Sequence, residues 1–240
     1  MRVGWTFVVA LGFGLTVSGA NATSLNGFLT ADDGFTAYVS QDPTALGTQV
    51  ATGSSFSTTY SLSGAATTLV PGVKNYLEIV ATNSFGAAGF LGDFTLSDTQ
   101  FQFTNGTQTL LTNDSANWTG NLQGASWSKP TGTDVNQGTN GDTTTVWYAL
   151  RSPSPGSAPN IDLTAEWIWP TDGFVPEGGG VHVCPGDSAP QGTTCTVDFL
   201  AEIDPTTATT PLPATLPLFA TGIGAMGLLG WRRKRKPQAA

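Results

Sequence analysis

No stretch of this chain repeats apolar residues at helical spacing over a useful length, except near its C-terminal end. Instead, short runs rich in β-branched and aromatic residues are set apart by Gly, Asn, Asp, Ser and Pro. These runs are 25–29, 35–40, 76–81, 90–96, 101–103, 146–150, 161–169, 181–184 and 195–203. Turn residues at this frequency stop helices and close hairpins, so the expected fold is all-β, an antiparallel β-sandwich. Phe35, Ala37 and Val39 alternate with Thr36, Tyr38 and Ser40, the pattern of a sheet with one buried face. Tyr76-Leu77-Glu78-Ile79-Val80-Ala81 is more uniformly apolar and is expected to be a central strand. Residues 43–72 read as long loops around one or two weak strands, and 128–145 as a mobile surface insertion.

The two ends are built differently from the body. Arg2 precedes an apolar run, Val8 to Leu15, and Ala20-Asn21-Ala22 supplies the small-x-small pattern that signal peptidase reads. Residues 1–22 are therefore expected to be a signal peptide and Thr23 the first mature residue. At the other end, Leu216 to Trp231 is uncharged and spans about 24 Å as a helix, slightly short of a bilayer core. Arg232, Arg233, Lys234, Arg235 and Lys236 follow it. Cations beside an apolar span stay cytoplasmic, which places residues 23–204, one domain, on the far side of the inner membrane. Thr- and Pro-rich residues 205–213 form a tether.

Removing both ends leaves Lys74, Lys129 and Arg151 against seventeen carboxylates, a net charge of −14. Nucleic-acid partners are excluded, because their binding depends on cations that neutralise phosphates. Cys184 and Cys195 flank ten residues with strong turn chemistry. Apolar alternation on both sides predicts a hairpin with the two sulfurs opposed and joined as a disulfide. The alternative is a metal site with His182, which lacks the fourth ligand of a structural zinc centre.

Chemistry is sparse. The single histidine, His182, sits in the predicted hairpin, and no phosphate-binding or dinucleotide motif is present. Glu78 and Glu166 lie on predicted strands, where a carboxylate either faces solvent or takes part in a glycosidase pair. Asp32 and Asp33 are candidate calcium ligands, against the alternative of an Asx-type turn; no other cofactor is expected. Trp118 and Trp127, in Asn-, Gly- and Ser-rich surroundings, are expected to be exposed and are the candidate sugar contacts. Trp167 and Trp169 alternate with Ile168 and are expected to share one buried face.

Two resemblances add to this reading. Residues 211–236, with Pro211, Leu212, Pro213 and Ala214 ahead of the apolar helix 216–231 and the basic run 232–236, resemble the PEP-CTERM sorting signal of exopolysaccharide-producing Gram-negative bacteria. The motif lacks the Glu of the family's name. That resemblance implies cutting near the Pro motif by exosortase, after signal peptidase, and release to the cell surface or extracellular matrix. The runs Leu29 to Val39, Ala165-Glu166-Trp167-Ile168-Trp169 and Thr196-Val197-Asp198-Phe199 resemble strands of galactose-binding-like jelly rolls in permuted order. It implies a jelly-roll sandwich able to contact extracellular polysaccharide. The expectation is a non-enzymatic surface or biofilm-matrix component with weak carbohydrate binding, and the alternative is a carboxylate-pair or calcium-assisted glycosidase.

Overall fold

A computed structural model describes residues 22–62, 67–84, 87–113, 117–123, 127, 129–130, 134–145, 147–148, 156–170, 175–176, 182–183 and 194–206. Ala20, Cys184, Pro211 to Ala214, the apolar span 216–231 and the basic run 232–236 lie outside them. Among the described residues no helix is long and apolar enough to cross a membrane.

The strands are β1 (Leu25–Asp32), β2 (Gly34–Ser40), β3 (Thr48–Gly53), β4 (Tyr60–Leu62), β5 (Asn75–Asn83), β6 (Gly89–Leu96) and β7 (Phe101–Phe103). They continue with β8 (Thr109–Leu111), β9 (Thr119–Leu122), β10 (Asp134–Thr139), β11 (Glu166–Pro170), β12 (Val175–Pro176), β13 (His182–Val183) and β14 (Cys195–Pro205). One sheet runs β4-β1-β6-β11-β10, and β8 also pairs with β6. The other runs β3-β2-β5-β14-β7, with β9 also on β14. Every pairing is antiparallel, and β12 with β13 forms a separate small ribbon. The chain passes from the first sheet to the second across a single residue, Asp33, between β1 and β2.

Strand alternation explains the packing. Phe35, Ala37 and Val39 of β2 turn inward as the sequence pattern requires, beside Leu77, Ile79 and Ala81 of β5. Facing them are Leu25, Leu29 and Ala31 of β1 with Phe90 and Phe94 of β6. The two sheets meet through ring contact, Phe90 lying 5.1 Å from Phe199 of β14, ring centre to ring centre. β5 is central, hydrogen-bonded to β2 and β14 along its length.

A second apolar cluster covers the outer face of the first sheet. Leu91 turns away from the sandwich core and packs with Ala158, Ile161, Ala165, Trp147 and Trp167. The two indoles stack at 4.4 Å, and Phe56 meets Trp147 edge-on at 6.1 Å. Asn140 secures this cover, donating to the carbonyls of Ala158 at 3.0 Å and Ile161 at 2.9 Å and accepting the amide of Ala158.

Several expectations need correction. The insertion expected at 128–145 contains β10, which extends the first sheet. Trp147 and Tyr148, expected on a strand, lie in a helical turn. The strand expected over 161–169 begins only at Glu166, because Asp162 accepts both the amide and the hydroxyl of Thr164 and holds a turn there. Trp167 and Trp169 do not share surroundings: Trp167 joins the outer cluster, whereas Trp169 reaches Phe199 of the opposite sheet at 5.7 Å. The hairpin expected between 181–184 and 195–203 is not formed by the described residues. β14 carries β5 on one edge and β9 with β7 on the other, so His182–Val183 pairs instead with Val175–Pro176.

Gly27 is required where β1 lies between β4 and β6. A Cβ there would sit 2.6 Å from the Asp93 carbonyl oxygen and 2.6 Å from Phe94 Cδ1. Backbone cannot retreat from such a contact without breaking the ladder. Gly27→Val is expected to cost about 1–3 kcal/mol through overpacking, read as a lower urea midpoint at unchanged m-value.

Candidate functional site

Because Leu77, Ile79 and Ala81 face inward, Tyr76, Glu78 and Val80 must point to the outer face of the second sheet. Register sets Glu78 opposite Tyr38 of β2 and Leu200 of β14, and sets Asp198 opposite Val80. Glu78 and Asp198 are thus diagonal neighbours on one face, a relation with Cα atoms about 7–8 Å apart. On an open face both carboxyls would be solvated. Here both residues are 0% exposed.

Two segments cover them. Gln123, just after β9, donates to Asp198 Oδ1 at 2.8 Å. The loop from Gln41 to Gly47 folds over Glu78, and its Gly47 amide donates to Glu78 Oε2 at 3.1 Å. Ser40 shapes that loop: its hydroxyl oxygen accepts the Asp42 amide at 2.9 Å and lies within hydrogen-bonding reach of the Ala45 carbonyl at 3.2 Å. Asp42 caps it, accepting the amide and hydroxyl of Thr44 at 2.9 and 2.6 Å, which hold its carboxyl below the usual range. Trp127 is half-buried and donates its ring N–H to the Pro43 carbonyl at 3.2 Å, tying the two covers together.

Burial pushes the Glu78 carboxyl up to about 7, against opposing hydrogen bonds from Gly47 and Ser40, and the nearby charges of Asp42 and Asp198 push it further up. A carboxyl poised near neutrality beside a second carboxylate has the chemical character of a glycosidase acid. The geometry withholds it, because neither residue reaches solvent. What does reach solvent is a groove of about 400 Å³ beside the loop, lined by Ser40, Gln41, Asp42, Leu46, Thr68 and Val70 among others. Further along the same face Glu202 binds Lys74 and, at 3.0 Å, Lys129, while Lys74 also holds Asp204 at 3.1 Å.

The candidates named from the sequence scatter. Trp118 is not exposed: it is 0% accessible, wedged 5.3 Å from Phe90 and 5.6 Å from Phe94, with its ring N–H given to the Leu111 carbonyl at 3.0 Å. It stands one residue before β9, where the chain dips between the sheets, so it serves the core and not a sugar. Trp127 stays at the surface. Asp32 ends β1 in the first sheet and Asp33 is the crossing residue before β2, at the other end of β2 from the Gln41 to Gly47 loop. Burial, and then the hydrogen bond and charge of Asp33, push the Asp32 carboxyl up to about 8. Asp33 accepts the Ser84 amide at 2.8 Å. Among the described residues no group of three or more His, Cys, Asp or Glu side chains is placed to hold a metal ion. Cys195 is buried and is not a free thiol. Glu166 lies on β11, away from Glu78, in the other sheet.

Sequence reasoning overlooked Asp198, Gln123, Ser40 and Asp42. Alternation in Val197-Asp198-Phe199 does place Asp198 outward; nothing local reports that a separate segment covers it. The fold defines an all-β class of two antiparallel sheets with a buried acidic face on the second. Comparison with known protein families, with curated proteins and with solved structures finds no match.

Proposed function

We propose that this chain is an exported component of the cell surface or exopolysaccharide matrix, processed by signal peptidase and exosortase, which acts by binding and not by catalysis. The observation that carries the reading is the apolar span 216–231 followed by five cations, behind a Thr- and Pro-rich tether and an acidic body. The jelly-roll likeness of its strands, and the oxidised pairing of Cys184 with Cys195 that suits such a compartment, belong to the same proposal. The fate of the tail tests it: an intact precursor with two thiols in the cytosolic fraction would overturn it.

Trp127 supports weak contact with extracellular polysaccharide. Its ring is anchored by one hydrogen bond yet only partly buried, next to a loop rich in hydrogen-bonding groups, and a fixed indole beside polar groups suits a sugar ring. Trp127→Ala is expected to weaken binding on a glycan array at least tenfold, with or without EDTA. Equal binding by the variant would remove Trp127 from the site, and loss of binding in EDTA alone would make the contact calcium-dependent.

The second reading, a carboxylate-pair glycosidase, is favoured by the raised Glu78 carboxyl next to Asp198. Release of reducing ends from polysaccharide by the wild type but not by Glu78→Gln would establish it in place of the binding role.

A further inference from the structure

Both ends of the described body converge on one turn, Ser97 to Gln100, between β6 and β7. On the N-terminal side the Ser24 amide donates to Ser97 Oγ at 2.9 Å, and the Ser97 amide donates to the Ser24 carbonyl at 3.0 Å. The Thr23 hydroxyl donates to Asp98 Oδ1 at 2.7 Å, an oxygen that also accepts the Gln100 amide at 2.8 Å. On the C-terminal side the Thr206 amide donates to the Gln100 carbonyl at 2.9 Å and its hydroxyl to the Thr99 carbonyl at 2.8 Å. Thr23 is 1% exposed and is fixed from a third direction, because its carbonyl accepts the Leu69 amide at 2.8 Å. Ala22, one residue earlier, is exposed.

We propose that Asp98 is the binding site for a primary ammonium: the α-amino group that signal-peptide removal after Ala22 creates on Thr23. The inference rests on the export reading above. In the precursor the Thr23 nitrogen is an uncharged amide. Hydrolysis of the Ala22–Thr23 bond adds water across it, leaving a carboxylate on the departing leader and an ammonium on Thr23. A threonine nitrogen is three bonds from its hydroxyl oxygen, so the new cation falls within the roughly 4–6 Å over which an opposite charge favours the charged form. Cleavage therefore supplies the countercharge for a carboxylate that already holds Thr23.

Among the described residues few other charges face this point. The loop ahead of β5 brings Thr67, Thr68 and Leu69, the turn brings Ser97 and Thr99, and the C-terminal side brings Thr206, all uncharged. β14 contributes Asp204, which is bound by Lys74. Thr206, the residue that follows β14, is held by the same turn. An amine whose pKa is raised by folding stabilises fully below the ordinary α-amino value, about 7.7–8.0. That contribution is lost as pH rises through the higher folded value.

The test uses the secreted, processed protein, with its α-amine tagged by reductive ¹³C-methylation and titrated by NMR, beside Asp98→Asn. Asparagine keeps an acceptor for Thr23 and Gln100 but removes the charge. The wild-type amine is expected to bind its proton at least tenfold more tightly than the variant's, and to titrate above the ordinary α-amino range. Should the variant fail to fold, a wild-type amine within that range is enough to overturn the proposal. N-terminal sequencing separates the two ways of failing. A first residue other than Thr23 overturns the cleavage reading together with the ammonium site, and an unshifted amine on a confirmed Thr23 overturns the site alone.

Discussion

Phe199→Ala is expected to lower folding stability by about 3–5 kcal/mol, a large share of the roughly 5–15 kcal/mol that holds a domain together. Phe199 is fully buried on β14, and its ring touches Phe90 of the opposite sheet at 5.1 Å and Trp169 at 5.7 Å. Phe90 in turn meets Trp118 and Phe94, so one truncation opens a cavity at the centre of a connected aromatic group. Sheets hydrogen-bonded on both sides of that cavity cannot collapse into it, which places the cost towards the top of the range. Leu163→Ala is the matched control: it deletes atoms from a side chain 58% exposed and should stay within about 0.5 kcal/mol. Urea unfolding at constant pH measures both, and a Phe199→Ala midpoint as close to wild type as that of Leu163→Ala would refute the packing account.

Period-two patterning made the strands legible, and it did so best where one face alone decides burial. Phe35, Ala37 and Val39 face inward as their alternation requires, and the apolar run through Ile79 is a central strand. Composition failed for Trp118, because the residues around a side chain report the backbone it sits in and not the direction the side chain takes. It failed again for β10, whose Asn, Gln, Gly and Thr content resembles a loop although β11 supplies an edge for it to pair with. Burial of Glu78 and Asp198 was beyond reach for a different reason. Alternation gives each the outer face, and only the tertiary placement of Gln123, Gly47 and Trp127 converts that face into an interior. Two adjacent acids at Asp32 and Asp33 were visible in the chain, but whether they bind a cation or share a proton depends on burial that no local pattern encodes.

Those buried acids set the response to pH, and stability is expected to be greatest near pH 4–5 and to decline towards pH 8. Glu78, whose ordinary value is 4.5, titrates at about 7 in the folded protein because burial disfavours its charged form. Asp32 is raised for the same leading reason, to about 8. Between the unfolded and folded values the native state holds more protons than the unfolded chain, so stability falls as pH rises through that window. For Glu78 the loss is on the order of 3 kcal/mol, complete a little above pH 7. Asp42, Asp142 and Asp162 act in the opposite sense: hydrogen bonds from Thr44, Thr144 and Thr164 hold their carboxyls low, and their support disappears only in stronger acid. Glu78→Gln keeps the volume and an acceptor for the Gly47 amide while abolishing the titration. Its stability should therefore vary less than the wild type's between pH 5 and 7.5, and Asp32→Asn should flatten the profile further up the scale. Urea midpoints at pH 5 and 7.5 decide the matter: if wild type and Glu78→Gln lose stability in parallel, the carboxyl beneath the Gln41 to Gly47 loop is already ionised at pH 5 and the covered face is wetter than its geometry implies.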